Sequence, residues 1–229
     1  MRILSWNMLF SNSRLEEALT FIDGSGAQVV CLQEVPESLL PRLRALPYHS
    51  VEAIETGRVS RKGLSTQYLV ILSRFRIARH ARVPLPLRQY SLPLRTRLFV
   101  GFRVRLGLWG RGVGERHLLI ADLETPRGVL RVFNIHLPLA RAAWRLEEFE
   151  LAMMNRSREL PTIICGDFNT LESRRIAPLY WLLGSPLVET FSWRRERLVM
   201  EERFLAYELV NPLRGQTTHP ISRSQLDHS

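Results

Sequence analysis

A carboxylate and an amide follow a short apolar run near residue 165, and together they could bind a cation and a phosphate. The run at residues 162–165 is rich in β-branched side chains and lies between Pro161 and Gly166, which predicts a buried strand. Asp167 and Asn169 are two residues apart, so in extended backbone their side chains share a face. Oxygen ligands of this kind suit a hard cation and an oxygen-rich substrate, although the same pattern is also typical of a strand that ends in an Asx-turn.

Three other predicted strands also end in a polar residue that could bind metal or phosphate. Asn7 closes an alternating run at the N-terminus, Glu34 follows a buried run, and His136 ends the second arm of a hairpin predicted at residues 117–136. A carboxylate at the mouth of a buried strand is costly unless it is paired, so Glu34 predicts a bound cation or an ion pair with an arginine. A histidine such as His136, taken alone, is more often structural than catalytic.

The elements that must position these residues alternate between β and α patterns. Helical spacing, with Ser13 as N-cap and Gly24 as terminator, predicts a first helix at residues 14–23. Further helices are predicted at residues 36–46, 139–159, 177–183 and 193–207. Further strands are predicted at residues 49–54, 67–73, 74–86 (a basic edge strand) and 98–106 (a half-exposed strand), with glycine-bounded loops at residues 57–63 and 107–114.

The composition indicates one folded domain over residues 1–229. Hydrophobic residues make up 45% of the chain, which supports a sizeable core, and neither a repeat nor a flexible linker divides it. No apolar run approaches the ~20 residues of a membrane span, and the N-terminus turns polar too early for a signal peptide. Cys31 and Cys165 lie in apolar runs, which favours buried thiols over a disulfide or a metal pair. We therefore expect a soluble, cytoplasmic monomer.

The positive charge of the chain is concentrated in one central segment. The formal net charge is +10, and residues 51–111 carry twelve arginines and Lys62 against only Glu52 and Glu55, or +11. A local basic field of this size favours a polyanionic partner, nucleic acid first and an anionic membrane surface second. Lys62 is the only lysine in the chain, so arginine usage is biased throughout. That bias explains arginine in place of lysine, but it does not explain the scarcity of acids in this segment.

The polar strand ends belong to a series of short motifs that runs along the whole chain. In order, they are Ser5-Trp6-Asn7, Leu32-Gln33-Glu34-Val35, Val70-Ile71-Leu72-Ser73-Arg74, Phe133-Asn134-Ile135-His136-Leu137, Gly166-Asp167-Phe168-Asn169 and Leu226-Asp227-His228. The series resembles the endonuclease/exonuclease/phosphatase superfamily, which includes pancreatic-type DNases, abasic-site endonucleases, sphingomyelinases and inositol polyphosphate phosphatases. The resemblance implies a four-layer α/β sandwich, in which two mixed β-sheets pack face to face with helices outside.

The resemblance also implies a role for each matching side chain. Glu34 would hold a divalent cation, with Asn7 as second ligand or phosphate contact; Mg²⁺ is the expected ion and Mn²⁺ the alternative. Asp167 would orient or deprotonate the attacking water. Asn169 and His136 would donate hydrogen bonds to the phosphate and stabilise its developing charge.

The C-terminal motif departs from the pattern of the superfamily. Leu226-Asp227-His228 could match either an internal Asp-containing segment or the terminal Ser-Asp-His, and the preceding Thr217-Thr218-His219-Pro220 favours the internal one. In that case Asp227 would orient a catalytic histidine that is absent, and the domain would be C-terminally incomplete, without its last strand. In the other case His228 would be the general base or phosphate ligand and Asp227 its partner.

These inferences predict an enzyme. The expected activity is that of a Mg²⁺-dependent phosphodiesterase or nuclease, which hydrolyses nucleic acid by in-line attack of water. A phosphatase or phosphodiesterase for a lipid or small phosphate ester is the alternative, because the motifs describe the phosphate chemistry and not the leaving group. A third hypothesis is a catalytically weak binder that has lost the terminal histidine.

Overall fold

Two β-sheets form the centre of the protein in the computed structural model, which describes residues 1–60, 63–87, 92–106, 111–170, 177–191 and 193–213. The first sheet has the order β1-β2-β4-β3-β6 and is built from β1 (Ile3–Asn7), β2 (Val29–Pro36), β3 (His49–Ser60), β4 (Gly63–Ser73) and β6 (Arg111–Val113). The second has the order β5-β7-β8-β9 and is built from β5 (Ile77–Leu85), β7 (Arg116–Thr125), β8 (Gly128–His136) and β9 (Thr162–Asp167).

Both sheets are mixed, and each contains a parallel pair that aligns two strand ends. In the first sheet, β1 is parallel to β2 and Asn7 lies opposite Gln33. In the second, β8 is parallel to β9 and His136 lies opposite Asp167. The remaining pairs within the described residues are antiparallel. Because parallel strands end at the same edge of a sheet, these polar residues reach one rim of the sandwich.

The two sheets pack face to face across an apolar interior. Side chains alternate along each strand, so that Val29 and Cys31 face the other sheet while Val30 and Leu32 face helices. The interior between the sheets combines residues of both: Val29, Cys31, Ala53, Leu69, Ile71, Leu119, Ala121, Leu123, Leu130, Val132 and Cys165. Cys31 and Cys165 are both buried and free, as their sequence context predicts.

Helices cover the outer face of each sheet. On the first sheet lie α1 (Leu15–Gly24), a 3₁₀ turn and α2 (Leu40–Arg44), and on the second lie α4 (Ala142–Met153) and α7 (Trp193–Ala206). Three more helices complete the described part of the chain: α3 (Leu94–Arg105), α5 (Ala177–Leu183) and α6 (Leu187–Phe191). The predicted four-layer α/β sandwich is therefore confirmed. None of the described helices combines the length and apolar character that crossing a bilayer requires.

The strand predicted at residues 98–106 is wrong, because this segment is part of helix α3. The alternation of valine and arginine at residues 103–105 covers less than one helical turn. Over the longer window, Thr96, Val100 and Val104 recur at every fourth residue, and these are buried or half-buried in the structure. A helical period therefore decides which side chains pack against the protein.

Two smaller predictions are also corrected. Ser13 does not cap α1; the N-cap position is Arg14, whose backbone N–H donates to Asn12 Oδ1 instead. The loop predicted at residues 57–63 is a β-hairpin in its described part, since residues 57–60 continue β3 and Gly63 begins β4. The hairpin of β7 and β8 and the exposed edge strand β5 are confirmed.

Candidate functional site

Two β-bulges on either side of β4 aim two glutamates towards one end of the sandwich. The pairing of β2 with β4 shifts between Leu32 and Val35, and Glu34 lies in this bulge with a φ of 54°. The pairing of β3 with β4 shifts between Ile54 and Thr56, so Glu55 is the extra residue of a second bulge at the same level. Bulges re-aim side chains, and a positive φ is rare for a residue with a Cβ. The backbone therefore departs from regular β-structure where these carboxylates are presented.

Glu55 joins the two bulges and the two sheets. Its Oε2 accepts a hydrogen bond of 2.6 Å from the backbone N–H of Glu34, which the bulge removes from the strand ladder. Its Oε1 lies 2.7 Å from Nδ1 of His136, at the end of β8 in the other sheet. The Glu55 side chain is only 5% exposed, so both of its oxygens are used inside the protein.

Asn7 holds two carboxylates beside each other. Its Nδ2 donates to Glu34 Oε1 at 3.2 Å and to Asp167 Oδ2 at 3.0 Å. Its Oδ1 accepts from the backbone N–H of Leu9 at 2.9 Å, which fixes the amide in this orientation. In this arrangement Asn7 bridges Glu34 and Asp167 through its NH₂ group. The sequence-based role of Asn7 as a metal ligand or phosphate contact stays a prediction. A metal ion would bind Oδ1, which already accepts from Leu9, whereas a phosphate would accept from Nδ2.

Asp167 and Asn169 are fixed by the turn that follows β9. The backbone N–H of Asn169 donates to Asp167 Oδ1 at 2.9 Å, and Asn169 Nδ2 donates to the carbonyl of Leu137 at 2.8 Å. Asn169 has a φ of 51°, a conformation that asparagine tolerates better than most residues. The Asx-turn considered from the sequence is therefore present. It positions the Asp167 carboxylate at the rim, so the turn is compatible with a functional site there.

Gly166 allows β9 to approach β8 at this rim. Its φ is 142°, and a Cβ added there would lie 1.9 Å from the carbonyl oxygen of Ile135. A contact this short is incompatible with any side chain unless the backbone moves. Gly166 therefore permits the parallel pairing that aligns Asp167 with His136.

A cleft of about 360 Å³ opens above these residues. Its polar wall contains five side chains described above: Glu34, Glu55, His136, Asp167 and Asn169. Two arginines also line it. Arg116 donates to Glu148 Oε1 and to the carbonyl of His136, and Arg58 lies over the ring of Phe10, 4.1 Å from its centroid. The opposite wall is largely apolar and includes residues of α3.

The charges in the cleft favour the ionised forms of both the histidine and the glutamate. Burial alone would lower the pKa of His136, but the adjacent carboxylate of Glu55, with Asp167 and Glu34 further away, raises this pKa to about 9. With this pKa the His136 ring is an imidazolium at neutral pH, so both ring nitrogens carry a proton and Nδ1–H donates to Glu55. Burial would raise the pKa of Glu34, but the positive charge of His136 and the N–H of Phe10 outweigh this effect and lower the pKa.

The donors in the cleft fit a hard divalent cation that keeps much of its water. Glu34 and Asp167 offer carboxylate oxygens side by side, which suits Mg²⁺ or Mn²⁺ rather than a thiolate-seeking metal. Within the described ranges, no three His, Cys, Asp or Glu side chains form a cluster that could hold a metal ion by themselves. A Mg²⁺ ion held by one or two carboxylates, water and substrate phosphate is consistent with this sparse donor set.

The structure brings five of the seven predicted site residues together. Asn7, Glu34, His136, Asp167 and Asn169 lie at one rim, whereas Asp227 and His228 lie outside the described residues. Sequence reasoning missed Glu55, which it counted only as one of two acids in the basic segment, and Arg116. Neither is a polar residue at the C-terminal end of a strand: Glu55 interrupts the long strand β3, and Arg116 begins β7.

The comparisons with known proteins agree with this fold. The chain belongs to the Endonuclease/Exonuclease/phosphatase family, whose model matches residues 4–228. A search of curated proteins gives no match. The chain is similar to an endonuclease/exonuclease/phosphatase from Beutenbergia cavernae DSM 12333, with 16% identity and a TM-score of 0.65 over all of this chain and 63% of the other. The chain thus spans less than two thirds of that protein's length.

Two further solved structures have lower scores. A protein of the same family from Leptotrichia buccalis C-1013-b is 13% identical, with a TM-score of 0.53 over 74% of this chain and 68% of that one. D. rerio TDP2, complexed with single strand DNA product, is 18% identical, with a TM-score of 0.49 over 80% of this chain and 65% of that one. At these identities the similarity concerns the fold alone.

Replacing Gly166 by alanine tests the close approach of β8 and β9. We expect Gly166→Ala to lower the free energy of unfolding by about 3 kcal/mol, because the new Cβ would clash with the carbonyl of Ile135 at a positive φ. Gly101→Ala is the matched control, since Gly101 lies inside α3 with open space around it. That control should gain about 0.5–1 kcal/mol. Equal urea midpoints for Gly166→Ala and wild type would contradict the prediction.

Replacing Glu55 by glutamine tests the origin of the charge on His136. Glu55→Gln should move the pKa of His136 down from about 9, because it removes the strongest group that raises it. NMR titration of the imidazole in EDTA measures this shift. The raised pKa makes the imidazolium stabilising below its unfolded pKa of about 6.5, and this contribution is lost as the pH rises through about 9.

Glu52→Gln is the control for this titration. Glu52 lies on the same strand but pairs with Arg44, so the His136 pKa should stay where it is in wild type. An unchanged His136 pKa in Glu55→Gln would show that another group sets it.

Proposed function

We propose that this chain is a divalent-cation-dependent phosphodiesterase that hydrolyses its substrate by in-line attack of water. The observation that carries the proposal is the convergence of Glu34, His136 and Asp167 on one cleft, with Asn7 donating to two of them. These four side chains come from four strands of two sheets. Family membership supports phosphoester hydrolysis as the class of reaction. The geometry supports a separate part in that reaction for each side chain.

Glu34 would hold the cation, with the carboxylate of Asp167 next to it. When bound, Mg²⁺ or Mn²⁺ supplies positive charge for the phosphoryl oxygens and an ordered site for water. Glu34 is suited to this task because its lowered pKa keeps it ionised and because the N–H of Phe10 holds Oε2 at 3.0 Å. This hydrogen bond leaves further lone pairs on both carboxylate oxygens for a cation.

Asp167 would orient the attacking water and accept its proton. Hydrogen bonds from Asn169 to Oδ1 and from Asn7 to Oδ2 hold the carboxylate in place without neutralising it. His136 Nε2 lies 3.8 Å from Oδ2, so the imidazolium is close enough to share the same reacting group. A carboxylate fixed in this manner needs little reorganisation when the proton transfers.

His136 and Asn169 would stabilise charge on the phosphate. Nδ1 of His136 is engaged by Glu55, which leaves Nε2–H as the donor that faces the cleft. One N–H of the Asn169 amide is used by Leu137, and its second N–H is available for a phosphoryl oxygen. Donors that are already oriented are worth more to the transition state than donors that must turn towards it.

Nucleic acid is the first candidate substrate. The arginines of residues 51–111 support it, because they form a basic excess over the acids of the same segment. Several of these arginines are engaged in the fold: Arg76 pairs with Glu124, Arg74 donates to the carbonyl of Pro47, and Arg82 donates to the carbonyl of Glu52. An arginine that donates to a backbone carbonyl keeps its positive charge uncompensated, so only the pairs with acids reduce the basic excess.

A lipid phosphodiester is the second candidate, and a specific observation favours it. Leu94, Leu98 and Phe102 of α3 are large, apolar and exposed, and the other face of the same helix lines the cleft. Phosphate contacts to nucleic acid would leave such side chains in water, whereas a lipid surface would bury them.

Single substitutions of the two central carboxylates test the proposed reaction. Glu34→Gln and Asp167→Asn should each reduce Mg²⁺-dependent hydrolysis by about 10²–10⁴-fold, because one loses the cation and the other loses the proton acceptor. Bis-p-nitrophenyl phosphate and supercoiled plasmid are assayed in parallel, with Mg²⁺, with Mn²⁺ and with EDTA. Glu17→Gln, an exposed acid of α1, serves as the control and should retain wild-type activity.

The same assays separate the three expectations from the sequence. Plasmid nicking at a rate far above that of the small ester supports a nuclease. Plasmid retardation with steep salt dependence, but without turnover that either substitution abolishes, would identify a binder and refute the proposed reaction. Substitutions of Asp227 and His228 measured beside them would show whether the C-terminal motif takes part.

A further inference from the structure

Helix α3 exposes a continuous row of large apolar side chains. Leu94, Leu98 and Phe102 of the helix and its C-cap residue Leu106 follow one another at every fourth residue, and their exposed fractions are 68%, 64%, 60% and 50%. At this spacing the four side chains lie along one face of the helix, and we call this row the apolar stripe. Scattered exposed leucines are ordinary, but a contiguous row of this kind marks an interaction surface.

The charge of α3 has a single sign. The helix carries Arg95, Arg97, Arg103 and Arg105 and no acidic residue. Arg97 and Arg105 are exposed beside the apolar stripe, and neither has an ion-pair partner in the part of the chain that the structure describes. Arg95, by contrast, donates to the carbonyls of Trp181 and Ser185 and anchors the helix to α5 and its following turn. The outer face of α3 is therefore both apolar and basic.

The other face of α3 forms a wall of the cleft. Thr96 and Val100 line the same cavity as Glu34 and Asp167. Leu87 also lines the cavity and is 46% exposed. The apolar stripe thus lies on the outside of the helix whose inside borders the candidate active site. A surface that bound the stripe would lie at the mouth of the cleft.

Three kinds of partner would differ in which groups of this face they contact. Nucleic acid would pair with the arginines but would leave the four apolar side chains in water. A second copy of the chain would cover the stripe but would bring two helices with only positive charge against each other. An anionic bilayer surface accepts both features, because apolar side chains enter the headgroup region while arginines meet lipid phosphates. Charge complementarity therefore selects the bilayer.

We propose that α3 docks this protein on an anionic lipid bilayer and that the cleft takes the phosphodiester of a lipid headgroup. The docking itself follows from the outer face of α3 alone, whereas the choice of substrate rests on the proposed phosphodiesterase function. A basic helix with leucine and phenylalanine on its apolar side lies in the plane of the interface. In that position the outer face of α3 meets the headgroup layer, and the cleft lined by its inner face lies next to that layer.

Vesicle binding tests the docking without any reference to catalysis. Flotation measures binding to vesicles of phosphatidylcholine mixed with phosphatidylserine, and to vesicles of phosphatidylcholine alone. Wild type should bind the mixed vesicles more tightly. The double variant Leu98→Gln/Phe102→Gln should weaken this binding by about tenfold or more, because two apolar side chains no longer enter the interface. Arg97→Gln/Arg105→Gln should remove the preference for phosphatidylserine.

The matched control is Leu198→Gln/Leu205→Gln on α7. These leucines are 62% and 72% exposed, but Glu201 and Glu202 lie beside them on the same helix. The control should bind vesicles as wild type does. Circular dichroism and urea unfolding of every variant establish that a loss of binding is not a loss of fold. Equal binding by wild type and Leu98→Gln/Phe102→Gln, or no binding by wild type, would overturn the docking proposal.

Hydrolysis measured on two substrates keeps this inference separate from the proposed function. Leu98→Gln/Phe102→Gln should hydrolyse soluble bis-p-nitrophenyl phosphate at the wild-type rate but lose hydrolysis of phospholipid in vesicles. Glu34→Gln and Asp167→Asn should bind vesicles normally and hydrolyse neither substrate. Vesicle binding without turnover of any ester would refute the enzyme and leave the docking intact.

Two results would assign α3 to another partner. A dimer in analytical ultracentrifugation that Leu98→Gln/Phe102→Gln dissociates would identify a second copy. Plasmid retardation that this variant weakens, together with an absence of vesicle binding, would identify nucleic acid. Either result would overturn the proposal.

Discussion

The carboxylate of Glu55 is the interaction on which the candidate site depends. It is buried, yet it has two strong partners, one in each sheet: the backbone N–H of Glu34 and the ring of His136. A buried carboxylate without such partners would be unfavourable by several kcal/mol, so each partner is required for the others to remain in place. The bulge in β2 leaves the Glu34 N–H outside the strand ladder, and Glu55 satisfies it. The unusual backbone of Glu34 and the charge of His136 therefore have one common cause.

A second polar connection crosses the interior directly below the site. Asn134 donates to the carbonyls of Leu32 and Val70, at 2.9 Å and 3.0 Å, and its Oδ1 accepts from Gln33 Nε2 at 2.7 Å. All of these groups are buried between sheets that otherwise meet through apolar side chains. Hydrogen bonds between buried polar groups in a low-dielectric interior fix the relative position of the parts they join. The two sheets are thus held in register at the end where the cleft requires it, whereas apolar packing alone would tolerate small displacements.

The sequence predicts the fold well where local pattern and tertiary structure agree. The runs before Glu34, His136 and Asp167 are rich in apolar residues and the run before Asn7 alternates, and each ends in a polar residue, so both the strands and the positions of their polar ends could be predicted. Glu55 could not be found this way, because it lies within β3 and is brought into the cleft by a bulge that depends on the partner strand. The pattern of α3 misleads for a related reason: a local alternation predicts a strand, whereas the packing follows the longer period of a helix. The side-chain amide of Asn7 illustrates a third limit, since its orientation is set by the N–H of Leu9 and not by its spacing.

The balance of charge at the rim favours the binding of a cation. Three carboxylates, from Glu34, Glu55 and Asp167, surround the single imidazolium of His136. The inner cleft is therefore negative, and a phosphodiester entering it alone would be repelled. The nearby arginines offset this only in part, because Arg116 is already paired with Glu148 and Arg58 lies over the ring of Phe10.

A divalent cation beside Glu34 would reverse the local sign and make the same cavity attractive to phosphate. The basic face of α3 stands outside this negative centre, so in the proposed function long-range attraction of a polyanion and local binding of its phosphate would be performed by different parts of the protein. This separation gives a physical reason for the uneven charge of the chain. Four arginines of the basic segment lie on α3, which forms a wall of the cleft, while the acids of the candidate site come from the strand ends and bulges of the two sheets.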